Sequence, residues 1–183
     1  MVSDLGRAMS VVISIQAAEE LSLTDRSAII ALCEVAFDEP FEQLFDLLPG
    51  SRHLLVHADG RLISHACWVT RWLQPAGLPP LRTAYVEAVA THPERQGHGY
   101  GTLVMRRIAQ EIAAYDLGGL SPTEARFYAR LRWEDWRGPT AIRVADGILP
   151  TPGEEIMILR TPQTPPLDLD APISAEWREG ELW

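Results

Sequence analysis

The run Arg95-Gln96-Gly97-His98-Gly99-Tyr100-Gly101 limits what this chain can fold into more than any other feature. It follows an apolar stretch, residues 82–91, that reads as a strand. It precedes a segment to about Tyr115 whose Val104, Ile108, Ile112 and Tyr115 recur at helical spacing. A strand, a loop with glycine at alternate positions and an amphipathic helix direct several backbone N–H groups at one point. Those amides and the helix dipole favour an anion, above all a pyrophosphate, and glycine lets it approach where a Cβ would collide. Arg95 can add a charge-assisted hydrogen bond. A P-loop would need a lysine followed by serine or threonine, which is missing, and a dinucleotide fingerprint would follow the first strand instead of lying mid-chain. Taken alone, the loop is equally open to a purely structural reading as a glycine-rich turn.

Around the loop, hydrophobic periodicity and turn chemistry set out the remaining elements. Residues 11–15 read as a strand. Residues 24–37 read as a helix capped by Thr24, with Ile29, Leu32, Cys33, Ala36 and Phe37 on one face, and a second short helix follows Pro40. Residues 54–58, the pair Asp59-Gly60 and residues 62–72 form a hairpin signal, because Asp-Gly tolerates the positive φ angles of a tight turn. Residues 75–80 turn the chain into the strand before the loop. Beyond the loop helix, residues 117–120 read as a strand. Ser121 is then a cap, with Pro122 at the first position, for a helix that includes residues 124–131. Residues 141–148 and 156–160 read as the last two strands. At this length one domain spanning 1–183 is expected, with the proline-rich 161–172 and the terminal residues making 161–183 an extended C-terminal segment.

Composition narrows the function classes. The net charge of -9 advertises no basic patch for nucleic acid, and clustered carboxylates suit a cationic small molecule. Residues 1–10 contain Asp4 and Arg7 and no apolar block of leader length, and no later stretch is long enough to span a bilayer, so a cytoplasmic chain with no membrane partner is expected. Cys33 and Cys67 sit in apolar surroundings and read as buried thiols. His53, His57, His65, His92 and His98 show no ligand spacing, so no metal is expected, and Trp68, Trp72, Trp133 and Trp136 read as core residues.

Residues 96–101 match the Gln/Arg-x-x-Gly-x-Gly/Ala signature that binds the CoA pyrophosphate in GNAT acetyltransferases, and the chain resembles that superfamily in element order as well. Two antiparallel strands, a longer strand ending before the loop, the loop helix, a short strand and a helix carrying Ala125-Arg126-Phe127-Tyr128 follow one another as they do there. The resemblance implies an α/β GNAT fold, a central mixed and strongly twisted sheet flanked by helices. It implies acetyl-CoA as co-substrate, held by Val89, Thr91, Arg95, Gln96, Gly97, His98, Gly99, Tyr100 and Gly101. One departure is local: a glycine commonly precedes the aromatic after that tyrosine, whereas here Arg132 precedes Trp133. More narrowly, Ala36-Phe37-Asp38, Tyr85-Val86-Glu87, Trp136 with Gly138-Pro139-Thr140, and the run from Trp177 to Trp183 resemble aminoglycoside 2'-N-acetyltransferases.

Acetylating an amine requires removal of a proton from an ammonium, stabilisation of an oxyanion and delivery of a proton to a departing thiolate. Glu87 lies in an apolar strand, where partial burial favours proton uptake, and is the expected base, directly or through water. A strand carboxylate paired to an arginine such as Arg82 is the alternative. The resemblance makes Tyr128 the acid, although a tyrosine on a short amphipathic helix reads equally as core, and it puts a backbone N–H near Val89 on the oxyanion. The same resemblance gives Asp38, Glu87, Ser121, Glu181 and Trp183 as substrate contacts, with helix capping as the other reading of Ser121. Gln43, Arg132 and Arg137 make the chain less acidic than those enzymes, which suits kasugamycin, a 2'-amino antibiotic bearing a carboxyl-containing group. The resemblance implies direct acetyl transfer from acetyl-CoA to the 2'-amino group of a small cationic antibiotic, and a homodimer. The alternatives are acetylation of another amine, such as a polyamine, amino sugar or peptide N-terminus, or a non-catalytic acetyl-CoA sensor.

Overall fold

A computed structural model describes residues 10–180, 182 and 183 of the chain. The N-terminal stretch read above for a leader (up to residue 9) and Glu181 lie outside the described residues. The first strand, β1 (Val11–Ala17), pairs antiparallel with β2 (Arg52–Ala58), and between them run α1 (Leu23–Phe37) and the single turn α2 (Leu44–Leu47). Helix α1 is capped by Ser22, whose hydroxyl accepts the Asp25 N–H at 3.0 Å, and not by Thr24 as the sequence suggested; Ser22 is the better cap because its hydroxyl also donates to the Asp25 carboxylate at 2.6 Å.

Strand β3 (Arg61–Pro75) is the spine. Asp59 and Gly60 turn the chain into it with φ of 50° and 78°, both positive as a two-residue hairpin requires. Its first half pairs with β2, its middle with β4 (Leu81–Thr91), and its last residues with β10 (Ile173–Glu176). After α3 (Tyr100–Glu111), strand β5 (Leu117–Leu120) lies parallel to β4, α4 (Ala125–Ala129) follows, and β6 (Glu134–Asp135) and β9 (Met157–Arg160) continue the sheet beyond β5. On the other side β10 leads to β7 (Thr140–Val144) and β8 (Gly147–Pro150).

Alternation along β3 divides the core. Ala66 and Trp68 face Val104, Met105 and Ile108 of α3, while Cys67 and Val69 join Ile29, Leu32 and Cys33 of α1 on the opposite side. Both cysteines are buried free thiols. Four expectations need correction. Residues 141–148 span two strands of a hairpin, because Ala145-Asp146 turn the chain and Gly147, paired with Val144, opens the second strand with φ 142°. The segment expected to be extended from residue 161 contains strand β10, which follows a proline-rich run and borrows its partners from β3 and β7. Helix α3 stops at Glu111, and Tyr115 instead lies under the Arg82 guanidinium, 4.1 Å from its ring centre. The last helix starts at Ala125, not after Ser121, whose hydroxyl donates to the Glu155 carbonyl at 3.1 Å.

Candidate active site

The end of β4 passes directly into the glycine loop. The Glu94 amide donates to the His92 ring, Gln96 reaches back to the Thr91 carbonyl at 3.3 Å, and His98 Nδ1 donates to the Gln96 carbonyl at 2.9 Å. Gly97 and Gly99 have φ of 76° and 87°, and among the described residues nothing lies within 4 Å of where a Cβ would stand on either. Gly99 is the N-cap of α3 and brings no side chain to its first-turn amides, and that turn carries no acid. This leaves open, electropositive amides at a twelve-residue helix. Tyr100 is buried in the core, so its contribution to the loop is its amide, and Gly101 packs against Phe127 and Thr91.

Upstream of the loop, β4 changes character at its middle. Its pairing with β5 ends at Tyr85 opposite Gly119. On the β3 side the register slips between His65 and Cys67, because Ala88 and Val89 together oppose Ala66, with Ala88 at φ 49°. The result is a β-bulge that bends the strand and re-aims its side chains. A cavity of roughly 610 Å³ opens along Val86 to Val89, and it is walled by Phe37 at the end of α1 and Phe41 beyond it, by Leu44 and Leu48 around α2, by Ser121 and Tyr128, and by the chain end.

Glu87 stands on this wall with its Oε1 2.7 Å from Nη1 of Arg178, the two side chains being 20% and 16% exposed. Arg178, not Arg82, is the arginine that meets it. Tyr128 lies edge-on to Phe127 and Trp133, and burial pushes its phenol up to about 12, which keeps the proton on the oxygen at neutral pH. The chain end is docked. Trp183 is buried and donates its indole N–H to the Thr151 hydroxyl at 2.8 Å, and Arg178 reaches the Trp183 carbonyl at 3.3 Å. Buried Arg71 donates to the Leu182 carbonyl at 2.8 Å and to the Glu176 carbonyl at 2.8 Å, so two guanidiniums above the Tyr85 ring hold the tail against β3 and β4.

The family model described as "Acetyltransferase (GNAT) domain" matches residues 18–135. The chain belongs to the GNAT acetyltransferase family. A curated aminoglycoside 2'-N-acetyltransferase of Mycolicibacterium fortuitum is 34% identical over 141 residues, covering 73% of this chain and 72% of that one. Among solved structures, a GNAT family N-acetyltransferase of Escherichia coli in complex with CoA matches with a TM-score of 0.66 at 16% identity, over 94% of this chain and 92% of that chain. An acyl-CoA N-acyltransferase of Pseudomonas aeruginosa gives 0.59 at 16% identity over 81% and 99%.

Within the acetyltransferase, Glu87, Ser121, Tyr128 and Trp183 come together on the cavity wall, with Val89 beside them. Asp38 does not line it. That residue ends α1 in the left-handed conformation with φ 58° and is exposed, while Glu39 and Glu42, one and four positions on, face the cavity. Sequence reasoning also missed Arg178 and Glu179; the signal was present, because both lie in the run from Trp177 to Trp183 that carries the narrower resemblance. Gln43 is on the wall, but the other two departures are not: Arg132 is exposed after α4, and Arg137 forms a two-pronged pair with Asp170 at 2.7 Å. Trp68, Trp133 and Trp136 are core residues, whereas Trp72 and Trp177 are 46% and 59% exposed. The histidines show no ligand spacing along the chain, yet strand pairing brings the ring nitrogens of His53 and His65 and the Cys67 sulfur within 4.8 Å of one another in the core.

Proposed function

We propose that the chain transfers the acetyl group of acetyl-CoA to the 2'-amino group of an aminoglycoside-type antibiotic, in the cytoplasm and as a homodimer, and so confers resistance. The charge of the cavity at the bulge carries this reading. Glu39, Glu42, Glu87 and Glu179 stand on its wall against one guanidinium, Arg178. Carboxylates above the apolar faces of Phe37 and Phe41 suit a compact ring system bearing several ammonium groups. The relative named for aminoglycoside 2'-N-acetylation supports the same acceptor.

The loop suits a CoA pyrophosphate, since its glycines are bare and its helix amides are open. The residues that would hold it are Arg95 to Gly101, with the backbone of Val89 and Thr91 along the pantetheine arm. Acetyl-CoA supplies a thioester, an acyl group already activated towards an amine. Glu87 takes one proton from the substrate ammonium, directly or through water, and frees its lone pair for attack. Since a carboxylate can accept about four hydrogen bonds, Arg178 and an ammonium can share it. The Val89 amide at the bulge meets the developing oxyanion. The Tyr128 phenol gives its proton to the leaving sulfur and regains one from the second proton that the nitrogen sheds as the amide forms, and no enzyme-bound acyl group forms.

Arg178 favours a narrower reading within this class. A guanidinium on an otherwise acidic wall suits an acceptor that carries a carboxyl-bearing group beside its amine, as kasugamycin does. Thiol release measured with kasugamycin, with a 2'-amino aminoglycoside and with a 2'-hydroxy relative tests both. Turnover of at least one 2'-amino compound and none of the 2'-hydroxy relative is expected. No turnover of any 2'-amino compound would sink the reading in favour of another amine or a non-catalytic role.

A further inference from the structure

Beneath the bulge, a row of buried polar side chains crosses three strands. The Ser51 hydroxyl lies 2.8 Å from His53 Nε2, His53 Nδ1 lies 3.0 Å from His65 Nε2, and His65 Nδ1 lies 3.0 Å from the Ala88 carbonyl. Ser51, His53 and His65 all have no exposed surface.

The last partner fixes every proton in the row. A carbonyl can only accept, so His65 carries its hydrogen on Nδ1. Full burial lowers both rings, His53 to about 4 and His65 to about 3, so each is neutral and has one N–H. His65 Nε2 must then accept from His53 Nδ1–H, and His53 Nε2 must accept from Ser51. One arrangement satisfies all four groups. The lone pairs that a metal would take from these two rings are the ones engaged in the row.

Its terminus is not arbitrary. Ala88 holds the left-handed turn of the bulge, where the slipped register interrupts the regular β3–β4 ladder. Neighbouring β3 side chains serve the same stretch: the Cys67 thiol faces the Glu87 carbonyl at 3.6 Å, and Ser64 donates to the Ala90 carbonyl at 2.9 Å. Burial keeps that thiol protonated and able to donate. The row begins at Ser51, whose amide donates to Leu48 behind α2, so it ties the corner beneath the α2 wall of the cavity to the strand that carries Glu87.

We propose that His65 is a positioning residue for acetyl transfer: its Nδ1–H holds the Ala88 carbonyl, and with it the bulge that aims the Glu87 carboxylate and the Val89 amide into the cavity. The inference rests on the catalytic roles given above to Glu87 and Val89, but its structural half can be read without activity. In the wild-type protein, nitrogen-15 NMR is expected to find both His53 and His65 as Nδ1–H tautomers; His65 protonated on Nε2 would overturn the proposal whatever the enzyme acetylates. His65→Asn places an amide N–H about where Nδ1–H stands, and His65→Leu removes the donor. With kasugamycin or a 2'-amino aminoglycoside as acceptor, His65→Leu is expected to lower kcat roughly tenfold to hundredfold. His65→Asn is expected to return kcat to within about threefold of wild type, and acetyl-CoA affinity by calorimetry to stay within about twofold in both variants. Equal losses of kcat in the two variants, or none in either, would overturn it. Should His65→Leu not fold, the tautomer of the wild-type ring decides.

Discussion

The two ends of the reaction site both hang on β4, yet they are made from different material. The proposed pyrophosphate end is one contiguous run, residues 92–101, and the groups it offers are backbone amides. The acceptor end gathers side chains from around α2, the β4 bulge, the α4 approach and the chain terminus. The difference follows from the ligands. A pyrophosphate presents the same oxygens in every cycle, and amides at a helix N-terminus meet them with little dependence on the side chains present. An amine acceptor varies in shape and charge, so its site is set by side chains that separate parts of the sequence must deliver together.

Substituting Glu87 tests the separation most severely. Glu87→Gln keeps a carbonyl oxygen for Arg178 but cannot take up the ammonium proton. It is expected to lower kcat about 10²- to 10⁴-fold, while calorimetry finds acetyl-CoA bound as in wild type. A matching loss of acetyl-CoA affinity would mean that the ends are one unit.

Gly99→Val probes the other end and should act in the opposite sense. A branched side chain at φ 87° is strained and would fill space that no described residue occupies within 4 Å, in the proposed path of the phosphates. The KM for acetyl-CoA is expected to rise roughly tenfold, with kcat at saturation within about twofold. A large fall in kcat with unchanged KM would break the comparison.

The same contrast explains what could be read before folding. The loop was legible because its chemistry is local: strand, glycines and helix are adjacent in the chain, and their order carried the resemblance. Glu87 and Tyr128 were legible through short motifs on regular elements. What stayed hidden depends on long-range pairing. Arg178 meets Glu87 across ninety-one positions, a separation no spacing rule covers. The Ser51-His53-His65 row exists because the β2–β3 register aligns residues that are unremarkable in sequence. Asp38 shows the limit of motif matching, since a C-cap geometry turned it outward and left Glu39 and Glu42 to face the cavity.

Arg132 offers the smallest test, at the boundary between the two kinds of information. The sequence marked it as the residue standing where a glycine is common, and its φ of 70° shows why glycine suits the position. The turn closes α4 with two backbone bonds, Trp133 N–H to the Tyr128 carbonyl at 3.2 Å and Arg132 N–H to the Ala129 carbonyl at 3.1 Å, the paired bonds of a left-handed helix stop. Trp133 then packs edge-on against Tyr128, so the turn seats the proposed acid. Arg132→Gly relieves about 1–2 kcal/mol of steric cost and returns about 0.5–1 kcal/mol through the greater freedom of the unfolded chain. A net gain of about 0.5–1 kcal/mol is expected, read as a rise in Tm of about 1–4 °C, with kcat unchanged because the exposed arginine lies off the cavity wall. A fall in kcat without a change in Tm would put Arg132 among the acceptor-end side chains, and would show that the acidic wall extends a cationic edge beyond Arg178.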